Sequence, residues 1–261
     1  MSHFSPWPYP RVLAHRGGGT LAPENTIAAI DVGCEFGYRA IEFDARLVRD
    51  DVPVVIHDDT LERTTDGTGP VAVRSAAELA QLDAGRWRAP RFAGTSVPTL
   101  DAMLGHCRDH DIWPNIEIKE VKGREEHVGE VVARAVAARY RDVVRRHGDR
   151  AEHIDPRAPL LSSFSRAALM GARRGASDLP RGYLVDEVPV FWRRDMETLG
   201  CVSLHADHAL LTRAQAQAVK DAGYWLFCFT VNDPARAREI LGWGVDAFCT
   251  DRIDLISPDF A

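Results

Sequence analysis

Long apolar runs are missing from this sequence. No stretch of its 261 residues approaches the roughly 18 consecutive apolar residues that a membrane-spanning helix needs. The first ten residues, ending Trp7-Pro8-Tyr9-Pro10, carry neither a basic region nor an apolar core, so they do not read as a secretory signal. Paired cysteines are missing too. Cys34, Cys107, Cys201, Cys228 and Cys249 are scattered, odd in number and without a C-x-x-C. That excludes a disulfide scaffold and points to free thiols in a reducing, cytoplasmic compartment. Positive charge is not in excess: 32 Lys+Arg against 38 Asp+Glu give a net charge of −6 and a pI near 5.9, which argues against a nucleic-acid binder. There is no internal repeat and no low-complexity segment. The Gly17-Gly18-Gly19 run can offer backbone N–H groups to an anion, but it has neither the Gly-Lys-Ser/Thr of a P-loop nor G-x-G-x-x-G spacing.

What is present is ordinary globular composition, 45% hydrophobic and 27% charged, on a chain able to bury about 70–75% of its unfolded surface. The length fits two ordinary domains or one α/β barrel of about 250 residues. The order of segments favours the barrel. Strand-like runs at 12–15, 40–47, 115–118, 160–163, 182–185, 202–204, 225–229 and 247–250 alternate with helical patterns at 25–36, 99–110, 125–146, 166–175, 191–199, 213–222 and 234–241. Asp50-Asp51 turns the second strand back into an extended return at 52–57. From 58 to 98 the alternation fails. Gly67, Gly69, Pro70, Gly85, Pro90, Gly94 and Pro98 interrupt it, with one short helical candidate at 75–82, and so long a stretch reads as an insertion. Strands alternating with helices imply a parallel sheet with right-handed crossovers, and a count of eight favours a (β/α)8 TIM barrel over an open doubly wound sheet. The expectation is one α/β barrel domain over 1–261 with a small inserted subdomain at about 58–98.

Chemistry in such a barrel sits at the C-terminal ends of the strands. There the sequence places His15-Arg16, Glu42 and Asp44, His57-Asp58, and Glu117 with Lys119. Residues two apart on a strand face the same way. Ile41 and Phe43 flank Glu42 on the other face, and the helix layer is a poor place for carboxylates, so the acids belong in the lumen mouth. Three converging carboxylates repel one another unless a cation sits among them, and oxygen-only ligands suit Mg2+ or Ca2+. The plainer reading of Glu42 and Asp44 is a salt-bridged strand end. His15 and His57 titrate near neutral pH, as a general acid or base should; the plainer reading is structural. Arg16 offers a planar fork to phosphate or carboxylate oxygens, and Lys119 is out of place in a lumen unless it meets an anion or a metal-bound carboxylate. His205 and His208 form an H-x-x-H without further ligands. Trp225 and Phe229 alternate on strand seven, packing the barrel or lining a cleft. Thr230, Asn232 and Asp251 follow strand ends, where capping of the next helix accounts for them.

Many of these residues belong to motifs that occur in a set order: His15-Arg16-Gly17, Ala22-Pro23-Glu24-Asn25-Thr26, Glu42-Phe43-Asp44, His57-Asp58, Leu61-Glu62-Arg63-Thr64-Thr65, Pro98-Thr99-Leu100, Asn115-Ile116-Glu117-Ile118-Lys119, Thr230-Val231-Asn232 and Gly244-Val245-Asp246. Together they resemble the glycerophosphodiester phosphodiesterase family, and within it the bacterial cytoplasmic enzymes. The likeness also takes in Trp7-Pro8-Tyr9-Pro10, Leu160-Leu161-Ser162-Ser163-Phe164 and Ser257-Pro258-Asp259-Phe260, so it covers essentially the whole chain. The resemblance implies a (β/α)8 barrel with a small subdomain after strand two. It implies a divalent cation, Mg2+ or Ca2+, at Glu42, Asp44 and Glu117, His15 and His57 as the acid/base pair, and Arg16 and Lys119 near the phosphate. Similar proteins often carry Trp or Tyr before the Thr-Val-Asn motif; Phe229 keeps the apolar wall of the substrate site without the hydrogen-bonding group.

The activity this implies is metal-dependent hydrolysis of a glycerophosphodiester to sn-glycerol 3-phosphate and an alcohol such as choline or ethanolamine. A divalent ion offsets the charge by which a phosphodiester repels nucleophiles. Either histidine can be the base, and either water or the glycerol 2-hydroxyl the nucleophile. A phospholipase acting on intact lipids would want an exposed apolar loop or a basic face; the net charge and the lack of such a stretch weigh against it. A non-catalytic phosphodiester-binding barrel is expected to lose a histidine or a metal carboxylate, and none is altered. The expected partner is a small-molecule glycerophosphodiester, without nucleic acid or stable membrane association. A homo-oligomer, the head group and the metal stay open.

Overall fold

The structure is a computed structural model and describes residues 6–144 and 154–261. Among these residues the strands are β1 (Val12–His15), β2 (Ala40–Leu47), β3 (Pro53–Val55), β4 (Trp113–Ile118), β5 (Leu160–Ser163), β6 (Arg181–Val185), β7 (Ser203–Asp207), β8 (Trp225–Phe229) and β9 (Ala247–Thr250). They run in the order β1-β9-β8-β7-β6-β5-β4-β2-β3, and β1 also pairs with β2. Eight parallel strands thus close on themselves, while β3 lies antiparallel on β2. This is the (β/α)8 TIM barrel that the alternation implies.

The helices are α1 (Ile27–Glu35), α2 (Ala76–Leu79), α3 (Leu100–Asp109), α4 (Glu125–Arg139), α5 (Arg141–Val144), α6 (Arg166–Gly175), α7 (Trp192–Leu199), α8 (Arg213–Asp221) and α9 (Pro234–Leu241). Their starts follow from side-chain caps that satisfy free backbone N–H groups. Thr26, Thr99, Ser165, Thr212 and Asp233 each accept from an N–H of the first turn, and Pro234 opens α9. Gly200, at φ 64, closes α7 in the left-handed region. Between α4 and α6 the backbones touch. A Cβ on Gly129 would lie 1.9 Å from the Ala168 carbonyl oxygen, and one on Gly171 1.9 Å from that of Glu126.

Several boundaries differ from the sequence reading. Asn25 is not helical; it takes φ 61 and the helix starts beyond Thr26. The helix expected to reach 146 is interrupted at Tyr140, whose ring is buried beneath the Arg108 guanidinium, and resumes as α5; residues 145–146 lie outside the described residues. The candidate at 75–82 shortens to the four residues of α2. Strand β4 begins two residues early, because Pro114 sits near a strand start where it is tolerated. Strand β7 continues to Asp207 and so contains His205.

Ile41 and Phe43 pack outward with the helix layer. Leu13, Trp113, Leu160, Trp225 and Phe227 fill the lumen. The N-terminal end of the barrel is sealed by aromatic rings. Tyr9 stacks on Trp113 at 4.0 Å between centroids, and Trp7 sets its edge against both Trp113 and Trp225. Residues 58–98 contain α2 and two 3-10 turns. Leu61, Val71, Leu79 and Val97 there share a small core with Val54 and Ile56 of the hairpin.

Candidate active site

Strand register assembles the site. His15 pairs with Glu42 across β1 and β2, and Asp44 pairs with Glu117 across β2 and β4. Seven of the eight residues singled out in the sequence, namely His15, Arg16, Glu42, His57, Glu117, Lys119 and Phe229, line one cleft of about 210 Å³ at the C-terminal end of the barrel. Asp44 is buried beneath them. Phe229 meets Phe164 edge to face at 5.7 Å and forms an apolar wall.

Glu42, Asp44 and Glu117 each bring an oxygen within 4.8 Å of the others. Burial and the Asp44 charge push the Glu42 carboxyl well above its usual range, and the same two causes raise Glu117. Burial acts upward on Asp44 as well, but the charges of Lys119, Arg16 and His57 and a bond from Asn25 hold it below the carboxylate range. Lys119 Nζ stands 3.1 Å from Asp44 and also bonds Glu117; Arg16 Nε stands 3.4 Å from Asp44. Glu42 Oε2 is buried with no hydrogen-bond partner among the described residues. An orphaned carboxylate oxygen within an all-oxygen acidic set fits a hard divalent cation.

The two histidines are held alike. His15 Nδ1 lies 2.6 Å from Asp251, and His57 Nδ1 lies 2.6 Å from Asp58. Burial acts upward on Asp251, but bonds from His15 and Asn232 bring it below its ordinary value; Asp58 is lowered chiefly by Arg63. Ionised carboxylates only accept, so each Nδ1 carries the proton and each Nε2 is left for other work. His15 Nε2 is 3.6 Å from Glu42. The surroundings part their titrations. Burial tends to lower His15, but Asp251 and Glu42 more than offset it; burial lowers His57 outright.

A profile of the glycerophosphoryl diester phosphodiesterase family matches residues 15–255. This chain belongs to that family. It is 32% identical over 241 residues to a glycerophosphodiester phosphodiesterase of Caldanaerobacter subterraneus subsp. tengcongensis, covering 92% of this chain and 93% of the relative. A phosphodiesterase of Oleispira antarctica, solved in complex with the product sn-glycerol-3-phosphate, superposes with a TM-score of 0.82 at 33% identity over 93% of each chain. A glycerophosphodiester phosphodiesterase of Agrobacterium tumefaciens superposes at 0.75 with 32% identity, over 94% of this chain and 97% of its own.

In this member of the family the geometry also brings in residues that the sequence reading had passed over or explained otherwise. Asp251 caps no helix; it holds His15. Asn232 accepts from the Asp251 N–H at 2.8 Å and donates to its carboxylate at 3.1 Å, while the neighbouring Asp233 is the cap of α9. Asn25 grips Asp44 twice, donating to the carboxylate at 2.7 Å and accepting from its N–H at 3.1 Å. Arg63 bonds both Glu24 and Asp58 at 2.6 Å, and Glu24 takes Arg16 at 2.6 Å, so one chain of ion pairs joins Arg16 to His57. Arg16 itself adopts φ 52, uncommon without a glycine. The sequence signal for Asn25, Glu24 and Arg63 was their place in the motifs; for Asp251 there was none beyond its strand-end position. The expectation of no exposed apolar loop also needs correction: Val190 and Phe191, on the loop after β6, are 90% and 72% exposed.

Proposed function

We propose that this chain is a metal-dependent glycerophosphodiester phosphodiesterase that releases sn-glycerol 3-phosphate and an alcohol. The observation that carries the reading is the convergence of three carboxylates, one with an orphaned oxygen, beside two histidines each held by an aspartate. The Oleispira relative, solved in complex with that product, supports it. Glu42, Asp44 and Glu117 would hold Mg2+ or Ca2+, which when bound neutralises and orients the phosphodiester. Arg16 and Lys119 bind phosphate oxygens and stabilise charge developing on them. His15 and His57 move protons at Nε2: one accepts from the nucleophile and the other donates to the leaving alcohol oxygen. Their aspartates fix the ring orientation. Phe229 and Phe164 wall the substrate site. The chain is a single barrel domain in which 58–98 is an inserted subdomain, a reading supported by its small shared core. All five cysteines are free, which supports a cytoplasmic home. Among the described residues no helix is long and apolar enough to cross a membrane.

The test is release of sn-glycerol 3-phosphate from glycerophosphocholine and glycerophosphoethanolamine, with a chelator and with restored Mg2+ or Ca2+. Chelation is expected to abolish release and the cation to restore it. Full activity after exhaustive chelation removes the metal from the reading, and no release from any glycerophosphodiester returns the chain to a binding role. One observation favours a second reading. The exposed Val190 and Phe191 suit an acyl-bearing substrate, and choline release from lysophosphatidylcholine in preference to glycerophosphocholine, leaving lysophosphatidic acid, would support it.

A further inference from the structure

Below the charged rim the cleft changes character. Asn115 on β4 precedes Glu117 by two residues, roughly 6–7 Å deeper along the strand. Ser162 on β5 and His205 on β7 line the same cleft. All three are nearly inaccessible, at 2%, 1% and 1% exposure. Yet Asn115 Oδ1, Ser162 Oγ and both ring nitrogens of His205 have no hydrogen-bond partner among the described residues. Buried polar atoms are almost always bonded, and leaving one unmet costs about 1–3 kcal/mol. Four orphaned atoms on three strands, facing one cleft, therefore require an explanation.

The imidazole is fixed in place. It lies against the Phe227 ring, 4.6 Å between centroids. Opposite stands Gly182, where a Cβ would come within 2.3 Å of Nε2. Burial pushes His205 down to about 3, so the ring is neutral at any working pH. Its H-x-x-H partner His208 is half-buried and absent from the cleft lining. The charges that suit a phosphate, on Arg16 and Lys119, are at the rim. The atoms beneath are neutral donors and acceptors, which suit hydroxyls. Further down, the lumen is filled by Leu13, Trp113, Leu160, Trp225 and Phe227.

We propose that His205, with Ser162 and Asn115, forms a hydroxyl-recognition floor that takes the glycerol end of the substrate, which makes His205 a specificity-determining residue and turns the variable alcohol toward the mouth. This rests on the functional reading above. Sites built to bond a hydroxyl reject analogues that lack it far more strongly than apolar pockets reject isosteres.

The experiment compares kcat/KM for glycerophosphocholine with that for 2-hydroxypropylphosphocholine, which keeps the 2-hydroxyl but lacks the terminal one, on the cation-loaded enzyme. The wild type is expected to prefer the glycerol ester by at least about 100-fold. His205→Leu is expected to cut that ratio by about 10- to 100-fold, and His205→Gln, which keeps a neutral hydrogen-bonding group, to recover most of it. Gly182→Ala, which displaces the imidazole without removing it, is expected to lower the same ratio and serves as the second variant should His205→Leu fail to fold. An unchanged ratio, or equal losses on both esters, makes the floor purely structural and overturns the inference. Failure of the wild type to cleave any glycerophosphodiester overturns the functional reading itself, and so is told apart from a failure seen only in the variants.

Discussion

At the residue scale, the site is a set of mutually perturbing charges. His15→Ala and His57→Ala are each expected to lower kcat by about 10²–10⁴-fold with circular dichroism unchanged; near-normal turnover in either removes that residue from proton transfer. Glu42 carries a sharper expectation. Its carboxyl is raised by burial and by Asp44, so the folded state binds its proton more tightly than the unfolded state does. Without a cation, the stability Glu42 contributes is fully present at low pH and is lost as pH rises through the raised value. A divalent cation competes with that proton. The rise in melting temperature produced by Mg2+ or Ca2+ is therefore expected to be largest near about pH 8.5 and to shrink toward about pH 5.5. Differential scanning fluorimetry across pH measures this. Glu42→Gln should abolish the cation-dependent rise without lowering the melting temperature in chelator at the higher pH. A pH-independent rise would place the cation elsewhere. Much of this site was legible because a two-residue spacing of acids on a strand has no comfortable outward solution. Asp251 was not legible, since its partner His15 is 236 positions away in the chain and only barrel closure brings them together.

At the element scale, helix starts were readable from the residues that make them. Thr, Ser and Asp stand where the first turn needs acceptors, and apolar periodicity follows. Strand ends were harder. The β7 segment looked three residues long because His205 and Asp207 interrupt an apolar pattern, yet those polar side chains fall on the lumen side of a strand that continues. Polarity marked the inside of this barrel at its mouth, the reverse of the usual cue. The α4–α6 contact was likewise hidden, since a glycine in a helix reads as weakness until the neighbouring backbone is seen against it. Gly171→Ala is expected to cost about 1–3 kcal/mol, measured as a lower urea midpoint, because its Cβ would meet the Glu126 carbonyl at 1.9 Å. A neutral result would mean that the two helices separate freely.

At the scale of the whole molecule, the sheet supplies a ring of strand ends and the segment after the hairpin braces one side of it. Arg63, from that segment, holds Glu24 and Asp58 together, so the irregular stretch and the barrel share one ion-pair chain. The aromatic seal of Trp7, Tyr9, Trp113 and Trp225 has its own bearing on turnover. A vessel stoppered at the base empties only through the opening by which it was filled, so its two products must leave in sequence. In the proposed orientation the alcohol lies nearer the opening and departs first, and sn-glycerol 3-phosphate departs last. Initial-rate studies are accordingly expected to show sn-glycerol 3-phosphate as a competitive product inhibitor and the released alcohol as a non-competitive one; the opposite pattern would mean that the phosphate ester escapes first.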